Sequence, residues 1–264
     1  MSTTTTAKVF TPDQVHHYQE QGYLLPQRQL LPAADYAALS ATTESLVASW
    51  AAAGGRTEHM DVPHFYHPEL FRFLLHDAVL DVVEDLIGPD IALFSNHFIC
   101  KPTGDGRRVP WHEDSAYWKG MWDPMEVVTV WLAIDPSTLS NGCMKVIPGS
   151  HAGGYSAYHD VAVDDPSVFA TEISAGQFDS DTAVACELAP GEYSLHHARC
   201  IHGSAANTSS QRRCGYIMRY CSTASRFDGS STGRDGLHQI YLARGRDRAG
   251  NNYGEAGTVN RAWV

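Results

Sequence analysis

The chain has 264 residues, 43% of them hydrophobic and 19% charged, with a formal net charge of −11. That length suits one domain, or one core with an annex, and the acidity without any basic run argues against a nucleic-acid binder. No apolar run approaches the ~18–20 residues of a membrane span. Met1–Thr6 lacks an apolar signal core, Ala262-Trp263-Val264 is not a peroxisomal signal, and the six cysteines show no C-x-x-C, so they are read as reduced and packed. These features together favour the cytoplasm. Strong net acidity also weighs against a very anionic substrate, unless a local basic mouth overrides it; Arg107-Arg108 is the candidate mouth, or else a solvated loop pair.

Residues 1–8 are expected to be a disordered tail. Thr11-Pro12-Asp13-Gln14 reads as a capping box with Pro at the first helical position, opening a helix that Gly22 stops. Tyr23-Leu24-Leu25 reads as a short strand, and residues 31–53 as a second helix ending at Gly54-Gly55. Glu58-His59-Met60-Asp61, with His64 and His67, holds metal-ligand residue types, but Pro63 and Pro68 favour a loop. Leu70, Phe73, Leu74, Leu80, Val83, Leu86 and Ile87 recur at helical spacing, which predicts one helix over 69–87.

From residue 91 the period changes. Ile91–Cys100 reads as a strand with Asn96 and Phe98 facing the interior, and 102–110 as a loop at a site mouth. Met125–Ile134 is a strand with Thr129 and Trp131 on one side. Asn141-Gly142 signals a hairpin turn with Cys143–Ile147 as the return strand. Residues 151–183 lack periodicity and are expected to carry substrate-specific loops. Val184–Leu188, Glu192–His196 and Arg213–Cys221 read as further strands, and the chain from Ser222 as irregular. Helices first and short strands after predict an all-β core with a helical annex: annex over 9–90, core over 91–221 with the 151–183 insert, irregular segment over 222–264.

The chemistry concentrates in Trp111-His112-Glu113-Asp114-Ser115. On an extended segment, residues two apart point to the same side, so His112 and Asp114 can hold two corners of a divalent metal. His202, 88 residues beyond Asp114, is the best third ligand. Two His and one carboxylate on one face of an octahedron leave three positions open, as in non-haem Fe(II) oxygenases. His59-Met60-Asp61 is a rival pair. Arg213, eleven residues beyond His202, opens an apolar run, and a buried Arg there needs an anionic partner such as a ligand carboxylate.

Several ordered stretches carry a resemblance: His112-x-Asp114; Asn141 to His151; Pro190-Gly191-Glu192, His197, His202-Gly203-Ser204, Asn207-Thr208-Ser209 and Arg213; and Leu242 to Arg248. Over roughly residues 10–250 the chain resembles the phytanoyl-CoA dioxygenase family of Fe(II)/2-oxoglutarate enzymes. The resemblance implies a double-stranded β-helix, or jelly roll, closed around a metal. It implies Fe(II), 2-oxoglutarate and dioxygen as cofactors, with succinate and CO2 as co-products, and Ser204 beside Arg213 at the distal carboxylate. Related halogenases lack the carboxylate ligand, so Asp114 favours hydroxylation or desaturation of a small molecule.

Thr129, Trp131 and Asn96 are candidate co-substrate contacts, although a plain core Trp fits Trp131 as well. His151, His196 and His197 are read as packing residues rather than ligands, and Glu113 as facing away from the metal. Two other readings stand beside the oxygenase. One is a metal-dependent jelly roll with non-oxidative chemistry, an isomerase or hydrolase; the other is a catalytically silent binding module. Neither the substrate nor the oligomeric state follows from the sequence.

Overall fold

The computed structural model describes residues 9–232 and 237–261. The expected 1–8 tail and the tripeptide Ala262–Val264 lie outside the described residues. Helix α1 (Pro12–Gln21) begins with the expected capping box: Thr11 accepts from the Gln14 amide, the Gln14 side chain accepts from the Thr11 amide, and Gly22 closes the helix at φ 76°. Strand β1 (Tyr23–Leu24) and helix α2 (Ala33–Ala52) follow. The predicted single helix over 69–87 is instead three pieces: the 3-10 turn Pro68–Leu70, the one-turn helix Phe71–Leu74, and α3 (Asp77–Ile87). The break has a local cause. His76 adopts an extended backbone, and its ring accepts from the Ala78 amide as the N-cap of α3.

The strands that matter to the site are β2 (Ile91–Lys101), β3 (Val109–His112), β4 (Val127–Ala133), β5 (Met144–Val146), β6 (Val184–Ala185), β7 (Tyr193–His197), β8 (His202–Ser204), β9 (Arg213–Ser222) and β10 (Tyr241–Arg244). They form two antiparallel sheets. The larger runs β1-β7-β4-β9-β2-β10, with the two-residue strand Met60–Asp61 added on β2; the smaller runs β6-β5-β8-β3. Two sheets enclosing a site, in this strand order, make the expected jelly roll.

The larger sheet is buried on both faces. Its outer face presents Phe98, Tyr216, Met218, Tyr220, Val130 and Leu195, which pack with Leu39 and Leu46 of α2 and with Val79 and Val83 of α3. Burying each such side chain contributes about 1.5–3 kcal/mol. Buried hydroxyls in this layer find carbonyls, as in Tyr220 to Leu74 at 2.7 Å and Tyr36 to Ile134 at 2.8 Å. The inner face presents Ile99, Trp131 and Ile217 to Met144 and Val146 of the smaller sheet.

Four expectations change. Asn141-Gly142 does not return β5 alongside β4. The Asn141 side chain accepts from the Thr138 amide and donates to the Pro136 carbonyl, capping a 3-10 turn. Gly142 at φ 77° then sends the chain across to the smaller sheet. The 151–183 insert contains a hairpin, Tyr158–Asp160 with Thr171–Ile173. Cys100 and Cys214, directly opposed across β2 and β9, are joined, leaving Cys143, Cys186, Cys200 and Cys221 free. Finally, Asn96 and Phe98 point outward, toward the helices: Asn96 donates to the Tyr216 hydroxyl at 2.6 Å and Phe98 stacks on the Tyr216 ring. Among the described residues no helix is long and apolar enough to cross a membrane.

Because Leu39 sits fully buried between the helical layer and the sheet, Leu39→Ala should cost about 2–5 kcal/mol. Urea unfolding followed by tryptophan fluorescence should show one transition with a lowered midpoint. An unchanged midpoint would mean that the annex does not stabilise the core.

Candidate metal centre

His112 ends β3 and His202 begins β8, and the two are direct partners across that antiparallel pair. This register brings together residues far apart in sequence, with ring centroids 4.1 Å apart. Glu113 continues the extended backbone before Asp114 opens a one-turn helix, so His112 and Asp114 keep the parity of a strand. Donor atoms of His112, Asp114 and His202 all lie within 4.8 Å of one another, and all three residues are buried. The His59-Asp61 pair joins no such group among the described residues. Asp61 instead lies 3.6 Å from the His97 ring, and His64 is buried among Phe65, Phe71 and Tyr241.

Each imidazole is oriented by a carbonyl two residues before it. His112 Nδ1 lies 2.8 Å from the Pro110 oxygen and His202 Nδ1 lies 2.9 Å from the Cys200 oxygen. A carbonyl can only accept, so Nδ1 carries the proton and the Nε2 lone pair is left for a metal. Burial holds both rings neutral, His112 down to about 3. Burial pushes the Asp114 carboxyl up, but Arg219 and the surrounding histidines outweigh it and hold Asp114 well below the usual carboxylate range. Arg219 Nε donates to Asp114 Oδ2 at 3.2 Å, and the Thr129 hydroxyl donates to the same oxygen at 3.4 Å. Neutral imidazoles and an ionised carboxylate are the protonation states that a divalent cation requires.

A second feature lies on the same wall. Arg213 is 1% exposed and its guanidinium lies 5.1 Å over the Trp131 ring. It donates one bond to the Gly142 carbonyl, its Nε has no acceptor, and no carboxylate pairs with it among the described residues. Burial lowers its pKa to about 10. Beside it, fully buried Lys101 donates to the Ser204 hydroxyl at 2.7 Å and the Ala205 carbonyl at 2.5 Å. Burial first, and then the Arg213 charge, push Lys101 down to about 6. A buried guanidinium with an open Nε, near a hydroxyl held by the Lys101 amine, makes a pocket suited to an anion.

The expected residues therefore divide. His112, Asp114 and His202 converge, and Ser204, Trp131 and Arg213 line the adjoining cavity. Thr129 reaches Asp114 rather than the anion pocket. Asn96 does not reach the cavity at all. Glu113 points away from the donor set, as expected, and its carboxylate accepts from the Ser156 amide at 2.7 Å. Arg108 does not form a basic mouth, because Asp165 and Glu172 of the insert hold it at 2.6 and 2.8 Å. Its carbonyl also accepts from Val168, next to Phe169, whose ring lies 5.0 Å from His112.

Sequence reading missed Arg219, His196 and Phe169 as cavity residues, and Lys101 as the partner of Ser204 behind the cavity wall. A lysine closing an apolar strand just before Pro102 was a usable signal. The other three carried none.

The profile of the phytanoyl-CoA dioxygenase (PhyH) family matches residues 9–215. A probable alpha-ketoglutarate-dependent hypophosphite dioxygenase of Stutzerimonas stutzeri is 27% identical over 188 residues, covering 70% of this chain and 63% of that protein. The L-proline trans-4-hydroxylase of Streptomyces griseoviridis is 31% identical over 174 residues, covering 60% and 64%. The matches thus span less than two thirds of either relative's length. Among solved structures, the apo form of the non-haem monooxygenase ThoJ superposes with a TM-score of 0.74 at 25% identity, covering 92% of this chain and 88% of that one. The family's cofactors, Fe(II), 2-oxoglutarate and dioxygen, suit the donor set and anion pocket found here. With the family profile spanning most of its length, this chain belongs to the phytanoyl-CoA dioxygenase family.

Proposed function

We propose that the chain is an Fe(II)- and 2-oxoglutarate-dependent dioxygenase that hydroxylates or desaturates a small molecule. In this reading His112, Asp114 and His202 hold the metal, and Arg213 binds the distal carboxylate of 2-oxoglutarate. The observation that carries it is the buried Arg213 without a carboxylate, on the wall of the cavity where two imidazoles and an aspartate converge. A non-oxidative metal enzyme has no use for that guanidinium. The named reactions of the relatives, oxidation of hypophosphite and hydroxylation of proline, support the same class. Bound Fe(II), with 2-oxoglutarate and dioxygen, supplies the oxidant as the co-substrate is decarboxylated to succinate and CO2.

The chain's own residues do the positioning. The Pro110 and Cys200 carbonyls fix both Nε2 atoms toward the metal. Arg213 and Lys101 orient the co-substrate through its far carboxylate, with Ser204 between them and Trp131 supporting the guanidinium plane. Ile99, Ile217 and Phe169 line the cavity and exclude water from the reacting atoms.

Removing either imidazole should abolish the metal site. His112→Ala and His202→Ala should each lose stoichiometric Fe(II) in anaerobic titration, whereas His59→Ala should keep it; the opposite pattern would identify the wrong pair. Arg213→Ala should retain iron but weaken 2-oxoglutarate by roughly ten- to a hundredfold, about 1.5–3 kcal/mol for a bond to a charged group. Arg213→Lys should lose less. The absorption of the anaerobic Fe(II) complex reports the dissociation constant, and an unchanged value in Arg213→Ala would sink the assignment.

Lys101 adds a pH signature. With its pKa depressed to about 6, the amine is largely neutral at pH 7, and an incoming carboxylate raises that pKa. Binding at pH 7 should therefore take up close to one proton, and affinity should fall as pH rises above about 6. Calorimetry in buffers of different ionisation enthalpy reads the proton directly. The uptake should vanish in Lys101→Met; persistence there would assign it to another group.

A further inference from the structure

The anion pocket around Arg213 accounts for one buried guanidinium. Arg219, six residues along the same strand and on the same inner face, is a second guanidinium, partly buried. Its side chain is only 11% exposed, its Cζ lies 5.0 Å over the Trp118 ring, and its carboxylate partner is Asp114 at 3.2 Å. On the oxygenase reading, that carboxylate is also a metal ligand. The charges then count as follows: +2 from the metal, −1 from Asp114, −2 from 2-oxoglutarate, +1 from Arg213 and +1 from Arg219. The sum is +1 with Lys101 neutral and +2 with it charged. A desolvated site with surplus positive charge beside the metal needs one more anion.

Polar groups on the same inner face also lack partners. Both ring nitrogens of His196 have none, although the residue is 1% exposed; Nε2 stands 3.9 Å from Asp114 Oδ2, on the wall of the cavity. His97 Nε2 is also buried without a partner. The strand registers explain the cluster. His196 of β7 pairs with Thr129 of β4, which pairs with Arg219 of β9, so three polar side chains stand in one row across the sheet. Buried polar atoms without partners cost stability and are retained where a ligand completes them.

We propose that the primary substrate is a small molecule bearing a carboxylate or similar oxyanion, bound by Arg219 with His196 hydrogen-bonding beside it. The inference rests on the oxygenase reading and adds the substrate class. Arg219 touches a metal ligand directly, so the oxidised carbon lies only a few bonds from the anionic group. Phe169, 5.0 Å from the His112 ring and 5.5 Å from Tyr117, covers this side of the cavity and limits the size of the molecule. Acidic overall composition is no obstacle, because Arg219 acts inside the cavity and not at its mouth.

The test uses the full chain loaded anaerobically with Fe(II) and saturating 2-oxoglutarate, titrated with formate, acetate, propionate and L-proline, and with acetamide, propionamide and L-prolinamide as neutral counterparts. The probe is the shift of the charge-transfer band. The acids should shift it at concentrations at least tenfold below those of the matched amides. Arg219→Gln should lose that preference while its 2-oxoglutarate affinity stays within a few-fold of wild type. Arg219→Lys, the milder change, should keep the preference but weaken each acid by roughly tenfold. Amides binding as well as acids, no acid shifting the band, or Arg219→Gln retaining the preference would each overturn the proposal. So would a tenfold loss of 2-oxoglutarate affinity in Arg219→Gln, which would give Arg219 to the co-substrate. Absence of the band in the wild-type chain is a separate result: it would remove the oxygenase reading itself, and the substrate class with it.

Discussion

The candidate site depends on one backbone register, the pairing of His202 with His112 across the smaller sheet. Side chains alternate along a strand, so a slip of one residue would turn one imidazole out of the cavity and separate the donor set. The Ser204 pairing shifts just beyond His202, where the strand meets Val109, so the regular register holds only at the histidine pair. Carbonyls two residues upstream then fix both rings. Asp114 gains its place by lying just past the end of the strand, where a one-turn helix carries the chain away from the histidine pair.

The two faces of the larger sheet obey opposite rules. The outer face is a continuous apolar layer under the helices, where the Tyr220 and Tyr36 hydroxyls find carbonyls and the Tyr216 hydroxyl finds Asn96. The inner face buries Lys101, Arg213, His97 and His196, several with polar atoms that lack partners, and carries the partly buried Arg219 beside them. Such an arrangement gives up stability on one face, which the other face offsets, and it leaves a cavity prepared for charged ligands.

The insert acts as a cover rather than as a free loop. Arg108 bonds Asp165 and Glu172, which flank Phe169, while the Glu113 amide donates to the Tyr158 hydroxyl and the Glu113 carboxylate accepts from the Ser156 amide of the insert. The segment carrying His112 and Asp114 and its cover are thus one hydrogen-bonded unit, so the cover's position and the geometry of the donor set are mechanically linked.

Local chemistry was legible in the residues themselves. A threonine, proline and glutamine in order start α1, Gly22 ends it, and the spacing of His112 and Asp114 with a later His singles out three residues that the fold brings together. These signals depend on near neighbours, or on residue types that few other roles require. What the sequence could not decide is which side of a strand faces the cavity when both sides are buried. Strand β2 is buried at all eleven positions, so alternation of apolar and polar residues, which normally marks the two faces, carries no information there. Nothing local distinguishes Asn96, which faces the helices, from His97, Ile99 and Lys101, which face inward. The same holds for Asn141-Gly142, whose local geometry is a turn in either case. Only packing decides whether the next strand returns to its neighbour or crosses to the other sheet, because that choice depends on where the most apolar surface can be buried. Spacing and caps determined α1 and the donor set; tertiary structure alone decided the facing of each side chain and the company of Arg219, since those depend on contacts between strands far apart in the chain.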